Sequence, residues 1–144
     1  MKQIFILFLL TFALGFSAYS QNRTNNQPLP KNISKWNGSD SDKVLNDPVI
    51  KSRLKKLLGK KNYADFIESW ETINPIVKKG NFLFSSGCMI HSCGHIESAF
   101  AIDLLNKTIH AAIFRETEKT RFFNEKNRKT PNVIQKWAKN LQTK

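Results

Sequence analysis

Residues Ile96 to Leu105 alternate: Ile96, Ser98, Phe100, Ile102 and Leu104 fall on one side, and His95, Glu97, Ala99, Ala101 and Asp103 on the other. A period of two suits a strand and not a helix. Asn106-Lys107 then offers a turn, and Thr108 to Arg115 returns as a second strand. A two-residue hairpin there pairs Leu105 with Thr108 and sets Asp103 opposite His110. The rest of the chain must build around this hairpin. Pro75-Ile76-Val77 and Phe82-Leu83-Phe84 read as earlier strands joined by a Lys78-Lys79-Gly80-Asn81 turn, and Thr120 to Phe123 as a shorter last strand.

Helical spacing flanks the strands. Asp47 is a good N-cap and Pro48 a good first residue for a helix carrying Val49, Ile50, Leu54, Leu57 and Leu58, with Gly59 as its stop. Lys51, Arg53, Lys55, Lys56, Lys60 and Lys61 lie on the other face and the end, which reads as a solvated surface. A second helix follows from an Asn62 cap, with Tyr63, Phe66, Ile67 and Trp70 in one stripe. Thr130-Pro131 opens a last helix whose inner side is Val133, Ile134, Trp137 and Leu141. The order predicts an α+β fold: an antiparallel sheet of about five strands, N-terminal helices and a C-terminal helix packed on it, and one small disulfide-closed loop. Ile96, Phe100, Ile102, Leu104, Ile109 and Ile113 are the expected core face. Ala99, Ala101, Ala111 and Ala112 are small enough for a helix or another sheet to come close.

The N-terminus has a different purpose. Met1-Lys2-Gln3 precedes an apolar run from Ile4 to Phe16, and Ala18-Tyr19-Ser20 supplies small residues before a cut ahead of Gln21. That is the anatomy of a secretory signal peptide, and the run is shorter than the roughly twenty residues a membrane-spanning helix needs. The expected organisation is a signal at 1–20, a flexible Asn/Ser-rich leader at 21–45 and one α+β domain at 46–144, in a periplasm or outside the cell. With 23 Lys and Arg against 11 Asp and Glu, the chain carries +12. The lysines are spread along the chain and not gathered with aromatics in one strip, so a nucleic-acid groove is not indicated. Two cysteines exclude a disulfide-dense scaffold and a four-cysteine zinc site.

Both cysteines fall in Gly87-Cys88-Met89-Ile90-His91-Ser92-Cys93-Gly94-His95, between two strands. Three chemistries compete there. Cys88, His91, Cys93 and His95 present four metal ligands, but ligands one residue apart converge poorly on a tetrahedral ion. A reactive thiol lacks the C-x-x-C spacing and an assignable acid–base partner. A secretory compartment favours the third, a disulfide ring holding Met89, Ile90, His91 and Ser92 at its tip. Such a ring lowers the ordering cost of binding.

The segment Cys88 to Gly94, followed by an alternating strand, a tight turn and a strand ending Ala111-Ala112-Ile113-Phe114, resembles the inhibitor-of-vertebrate-lysozyme (Ivy) family. The family signature is a disulfide-closed C-x-P-H-x-C loop at the start of a β-hairpin. Cys88, His91 and Cys93 match; Ile90 stands where the family prefers Pro, and Ser92 where Asp is common. The likeness spans roughly residues 80 to 115. It implies a secreted or periplasmic inhibitor, without enzyme activity, metal or cofactor, whose loop enters a lysozyme cleft. There His91 would meet the two catalytic carboxylates. The implied partner is a lysozyme or related muramidase; a homodimer is compatible with the sequence, a membrane span is not. Animal lysozymes are commonly basic, and without the first twenty residues this chain keeps 22 Lys and Arg against 11 Asp and Glu. Either the charge sits on the first helix and the C-terminal tail, away from the ring, or the target is a less basic muramidase or not a lysozyme. The alternative reading is a non-enzymatic envelope module whose basic surface binds acidic polymers. An enzyme built on Glu97, Asp103, His95 and His110 ranks third, because a cross-strand Asp–His pair is commonly structural.

Overall fold

The computed structural model describes residues 27–143; the expected signal peptide and the first residues of the leader lie outside that range. A six-stranded antiparallel sheet forms the centre. Its strands are β1 (Thr72–Ile73), β2 (Val77–Lys79), β3 (Phe82–Cys88), β4 (Ile96–Asp103), β5 (Thr108–Arg115) and β6 (Arg121–Asn124). The order across the sheet is β1-β3-β4-β5-β6, with β2 also paired to β3. Helix α1 (Ser41–Asn46) and the helical segment α2 (Pro48–Glu68) precede the sheet, and α3 (Asn132–Gln142) follows it.

Asp47 caps α2 as expected, its carboxylate accepting from the N–H of Val49 at 2.9 Å and of Ile50 at 3.1 Å. Gly59 takes φ 70° and ψ 171° and breaks the segment in two, so the stop and restart hold. The Asn62 cap does not: Asn62 lies inside the second half, where its amide donates back to the Leu58 carbonyl. The basic face of α2 also holds an exception. Arg53 is buried, paired with Glu125, and it donates to the carbonyls of Lys107 and Gln27. Glu125 in turn accepts from the Ile109 N–H at 2.8 Å. This pair ties α2 to the start of β5, and five guanidinium donors explain why Arg and not Lys stands there.

The two faces of the sheet are covered by different helices. Phe100, Ile102, Ile109, Ala111 and Ile113 pack with Ile50, Leu54, Leu58, Phe66 and Trp70 of the N-terminal part. On the opposite face Ala101 and Ala112 let Ile134 of α3 settle against the sheet, flanked by Phe82, Phe84, Val133 and Trp137. The small alanines thus admit a helix, as their size predicts. The core also extends further towards the N-terminus than a domain start at 46: Leu29, Ile33, Val44 and Leu45 are buried in it. Four apolar side chains in an otherwise polar stretch suffice to bring that part of the leader down onto the body.

The hairpin is real but its turn is longer. Asp103 pairs with Thr108 and Ala101 with His110, two places from the expected register, leaving residues 104–107 as the loop. Asp103 selects this loop: one carboxylate oxygen accepts from the Leu105 and Asn106 N–H groups, both at 2.9 Å. The other accepts from the Asn106 side chain at 2.7 Å, and Lys107 takes the positive φ (54°) that closes the loop. A shift of two leaves every side chain on its own face, so Phe100, Ile102, Ile109 and Ile113 are buried all the same. Ile96 and Leu104, at the strand ends, are half-buried. Strand β3 runs on to Cys88, beyond the apolar Phe82-Leu83-Phe84. Ser85 and Gly87 are poor strand formers, but Ser85 is held by the Asn74 carbonyl at 2.6 Å and by Ser41.

Candidate functional site

Cys88 and Cys93 are joined in a disulfide, closing a six-residue ring between β3 and β4. Both sulfurs being in that bond, the thiolate metal ligands and the reactive-thiol reading fall away together. Cys88 is buried and still in the sheet, opposite Glu97. Cys93 is exposed, Met89 and Ser92 are half-buried, and Ile90 and His91 stand out at the tip, Ile90 being 55% exposed. The sequence placed these four residues at the end of a ring, and the backbone does so.

The ring is held in one shape from inside and out. Within it, Ser92 N–H donates to the Met89 carbonyl at 3.0 Å; at its base, Met89 N–H donates to Ile96 at 3.2 Å and Ile96 N–H to Ser92 at 2.9 Å. From outside, Glu71, next to β1, accepts from the Ile90 N–H at 2.8 Å. Glu97 of β4 accepts from the Gly94 N–H at 2.8 Å. His91 adopts φ 59°, a left-handed conformation that non-glycine residues take at a cost and that His tolerates better than most. These surrounding bonds hold it there.

Behind the ring the sheet is unusually close-packed. Gly87 precedes Cys88, and a Cβ at that position would stand 2.8 Å from the Trp70 ring and 3.1 Å from the Ser69 carbonyl. Trp70 sits between Phe66 and Phe100, its ring centre 5.5 Å from each. Any larger residue at 87 pushes the indole off β3 just where the ring begins.

The other ionisable groups of the hairpin have separate tasks. His95 Nδ1 meets Glu116, both exposed, on the outer edge of the ring's base. Asp103 caps the turn at the far end of β4. Burial raises its pKa, but the hydrogen bonds from Asn106 and Leu105 and the nearby His110 outweigh that and bring it below the ordinary value. His110 is buried between Thr108 (3.1 Å) and Asn124 (2.8 Å). Glu97 serves Gly94. Asp103 and His110 thus sit together at one end of β4, and His95 and Glu97 at the other, by the ring.

Electrostatically this end differs from the whole. No Lys or Arg occurs from 62 to 77 or from 80 to 106, two of the three stretches that build it; the third, the β5–β6 connection, contributes Lys119 between Arg115 and Arg121. Glu71, Glu97 and Glu116 all contact the ring or its base. The arginine paired with Ile96 in the sheet, Arg115, is neutralised by Glu68 at 3.2 Å. None of these carboxylates reads as a site residue in the sequence except Glu97, and that for a different role. The gap in the lysines is the signal that the sequence offers.

Residues 49–144 match the family model described as inhibitor of vertebrate lysozyme (Ivy). No curated protein and no solved structure gives a match. The matched region contains α2 from its second residue, all six strands, the ring and α3, but not the buried Leu29, Ile33, Val44 and Leu45.

Proposed function

The chain belongs to the inhibitor of vertebrate lysozyme (Ivy) family, and on that premise we propose that it disables lysozyme by inserting the Cys88–Cys93 ring into the active-site cleft, with His91 against the catalytic carboxylates. Members are inhibitors and not enzymes, and their partner is lysozyme. The observation that carries the finer reading is His91 itself: exposed, in a positive-φ conformation, at the tip of a covalently closed ring that neighbouring carboxylates pin from outside.

The chemistry fits such a target. A retaining glycosidase holds one carboxyl with a raised pKa, near 6 in lysozyme, about 5 to 5.5 Å from an ionised partner. An imidazole with an unperturbed pKa near 6.5 donates to both and gains charge between them. It then fixes the pair in the wrong protonation state while the ring excludes substrate. Ile90, where the family prefers Pro, adds exposed apolar surface next to His91. It leaves the ring's rigidity to the disulfide and to Glu71.

Charge no longer opposes the encounter. A protein of +12 and a basic lysozyme repel at long range, but at the ring end Glu71, Glu97 and Glu116 outnumber Lys119, and Arg115 and Arg121 are held in ion pairs. A setting in the periplasm or medium, where the first twenty residues would direct the chain, brings it to such enzymes. Purified oxidised protein, titrated into a vertebrate lysozyme clearing a bacterial cell-wall suspension, should stop the clearing at near-stoichiometric amounts. Reduction of the disulfide should weaken the effect. Unimpeded clearing at a large excess of oxidised protein contradicts the reading.

A further inference from the structure

A groove of about 470 Å³ lies between α3 and the strands β2 and β3. Phe82, Phe84 and Trp137 supply its apolar wall, and Asn132, Asn140, Lys79 and Lys136 reach it from the rims. It is remote from the ring. Phe82 and Cys88 stand at opposite ends of β3, about 20 Å apart at the usual rise per residue. Nothing in the lysozyme-directed mechanism uses it.

Two features set the groove apart from an ordinary helix–sheet seam. Its lysines meet no carboxylate: neither takes part in any of the ion pairs among the described residues. From Lys126 to the C-terminus the chain carries six cations (Lys126, Arg128, Lys129, Lys136, Lys139 and Lys144) and no acidic side chain. In addition, the Trp137 Nε1–H is buried with no hydrogen-bond acceptor among the described residues, a state it shares with Trp70 in the main core and one that folded proteins seldom leave. Aromatic faces for stacking, amides for hydroxyls and ammonium groups for anions are the complement of a charged sugar.

We propose that this groove binds an acidic saccharide: a short glycan chain whose ring faces pack on Phe82, Phe84 and Trp137 and whose carboxylates pair with Lys79 and Lys136. The glycan of bacterial cell walls, with its N-acetylmuramic acid carboxylates freed where the peptide stem has been removed, is the source to which the proposal commits. A phosphate polymer without sugar rings would use the lysines and leave the aromatic wall idle. The protein would then hold wall glycan with one end and present the ring at the other.

The test needs no lysozyme. Soluble oligomers of N-acetylglucosamine and N-acetylmuramic acid are titrated into the full mature chain while the indole N–H resonances are followed. The Trp137 signal is assigned by Trp137→Phe. The expected result is saturable binding that moves the Trp137 resonance, at least ten-fold weaker for chitin oligomers of equal length, which lack the carboxylate. Inorganic polyphosphate should leave that resonance in place. Lys79→Glu with Lys136→Glu, both on the groove rim, should weaken binding of the acidic oligomer ten-fold or more while inhibition of lysozyme on a small soluble substrate is unchanged. No binding, binding with the Trp137 signal unmoved, equal affinity for chitin oligomers, or an equal shift with polyphosphate each overturns the proposal. The inhibition assay stands apart from all four outcomes, so failure here leaves the ring mechanism untouched, and failure of inhibition leaves this site untouched.

Discussion

At the scale of single residues, two carboxylates carry consequences that can be measured. Glu71 binds the Ile90 N–H from outside the ring. Glu71→Ala should speed hydrogen exchange at Ile90 and weaken inhibition by about 1 kcal/mol, some five-fold, with little change in melting temperature. Glu71→Gln keeps an acceptor and should recover most of the loss. Unaltered exchange at Ile90 in the alanine variant would show that Glu71 does not hold the ring. Asp103 acts on stability and not on binding. Its folded-state pKa lies below the ordinary value, so the unfolded chain takes up protons first as pH falls. The stability it contributes is complete above the unfolded-state pKa, near 4, and drains away as pH drops through the lower folded value. Urea denaturation between pH 7 and pH 3 should therefore show a shallower acid loss for Asp103→Asn than for the parent. Parallel acid limbs would contradict the assignment of the turn to this carboxylate.

At the scale of elements, the alternation of β4 and β5 was legible because a period of two survives any even slip of register. Phe100 is wholly buried whichever turn closes the hairpin. Phe100→Ala should cost about 3 to 5 kcal/mol of unfolding free energy, as for other buried aromatics. A loss under about 1 kcal/mol would place this face outside the core. The turn itself was not legible, because Asn106-Lys107 looks like a two-residue loop, whereas Asp103 upstream decides the geometry by capping two N–H groups. The end of β3 was hidden for a related reason. Ser85 is strand only because Ser41 and Asn74, far away in sequence, satisfy its hydroxyl. Arg53 shows the same limit in a helix: its neighbours in sequence are solvated lysines, and only Glu125, on the far side of the sheet's last strand, takes it into the interior. Glu125→Ala leaves that guanidinium buried without its partner and should destabilise the domain by about 3 to 5 kcal/mol in chemical denaturation. A change within experimental error would mean that water replaces the carboxylate at no cost.

At the scale of the whole molecule, the charge is unevenly divided. Two of the three stretches that build the ring end are free of Lys and Arg, and Arg115 and Arg121 in the third are ion-paired, whereas α3 comes from a stretch free of Asp and Glu. The net figure of +12 hides this division, and for that reason composition alone set the protein against a basic partner. Charge reversal exposes it: Glu116→Lys, at the ring's base, should slow association with a basic lysozyme, whereas Lys136→Glu, on the groove rim, should leave it unchanged. An equal and opposite pair of effects would mean that only net charge matters. The ring was legible from six residues, since two cysteines so close between strands leave few alternatives in an oxidising compartment. The groove was not, because Phe82, Phe84 and Trp137 come from elements that read separately as ordinary core. The central claim concerns the complex, and the variant His91→Ala addresses it most directly when inhibition and thermal stability are measured on the same preparation. The account predicts a melting temperature close to the parent's and an inhibition constant raised thirty-fold to several thousand-fold. That range is the equivalent of about 2 to 5 kcal/mol for removing a charge-assisted hydrogen bond from a desolvated cleft. Undiminished inhibition by His91→Ala would contradict the ring mechanism outright, and unfolding of the variant would make His91 a structural residue.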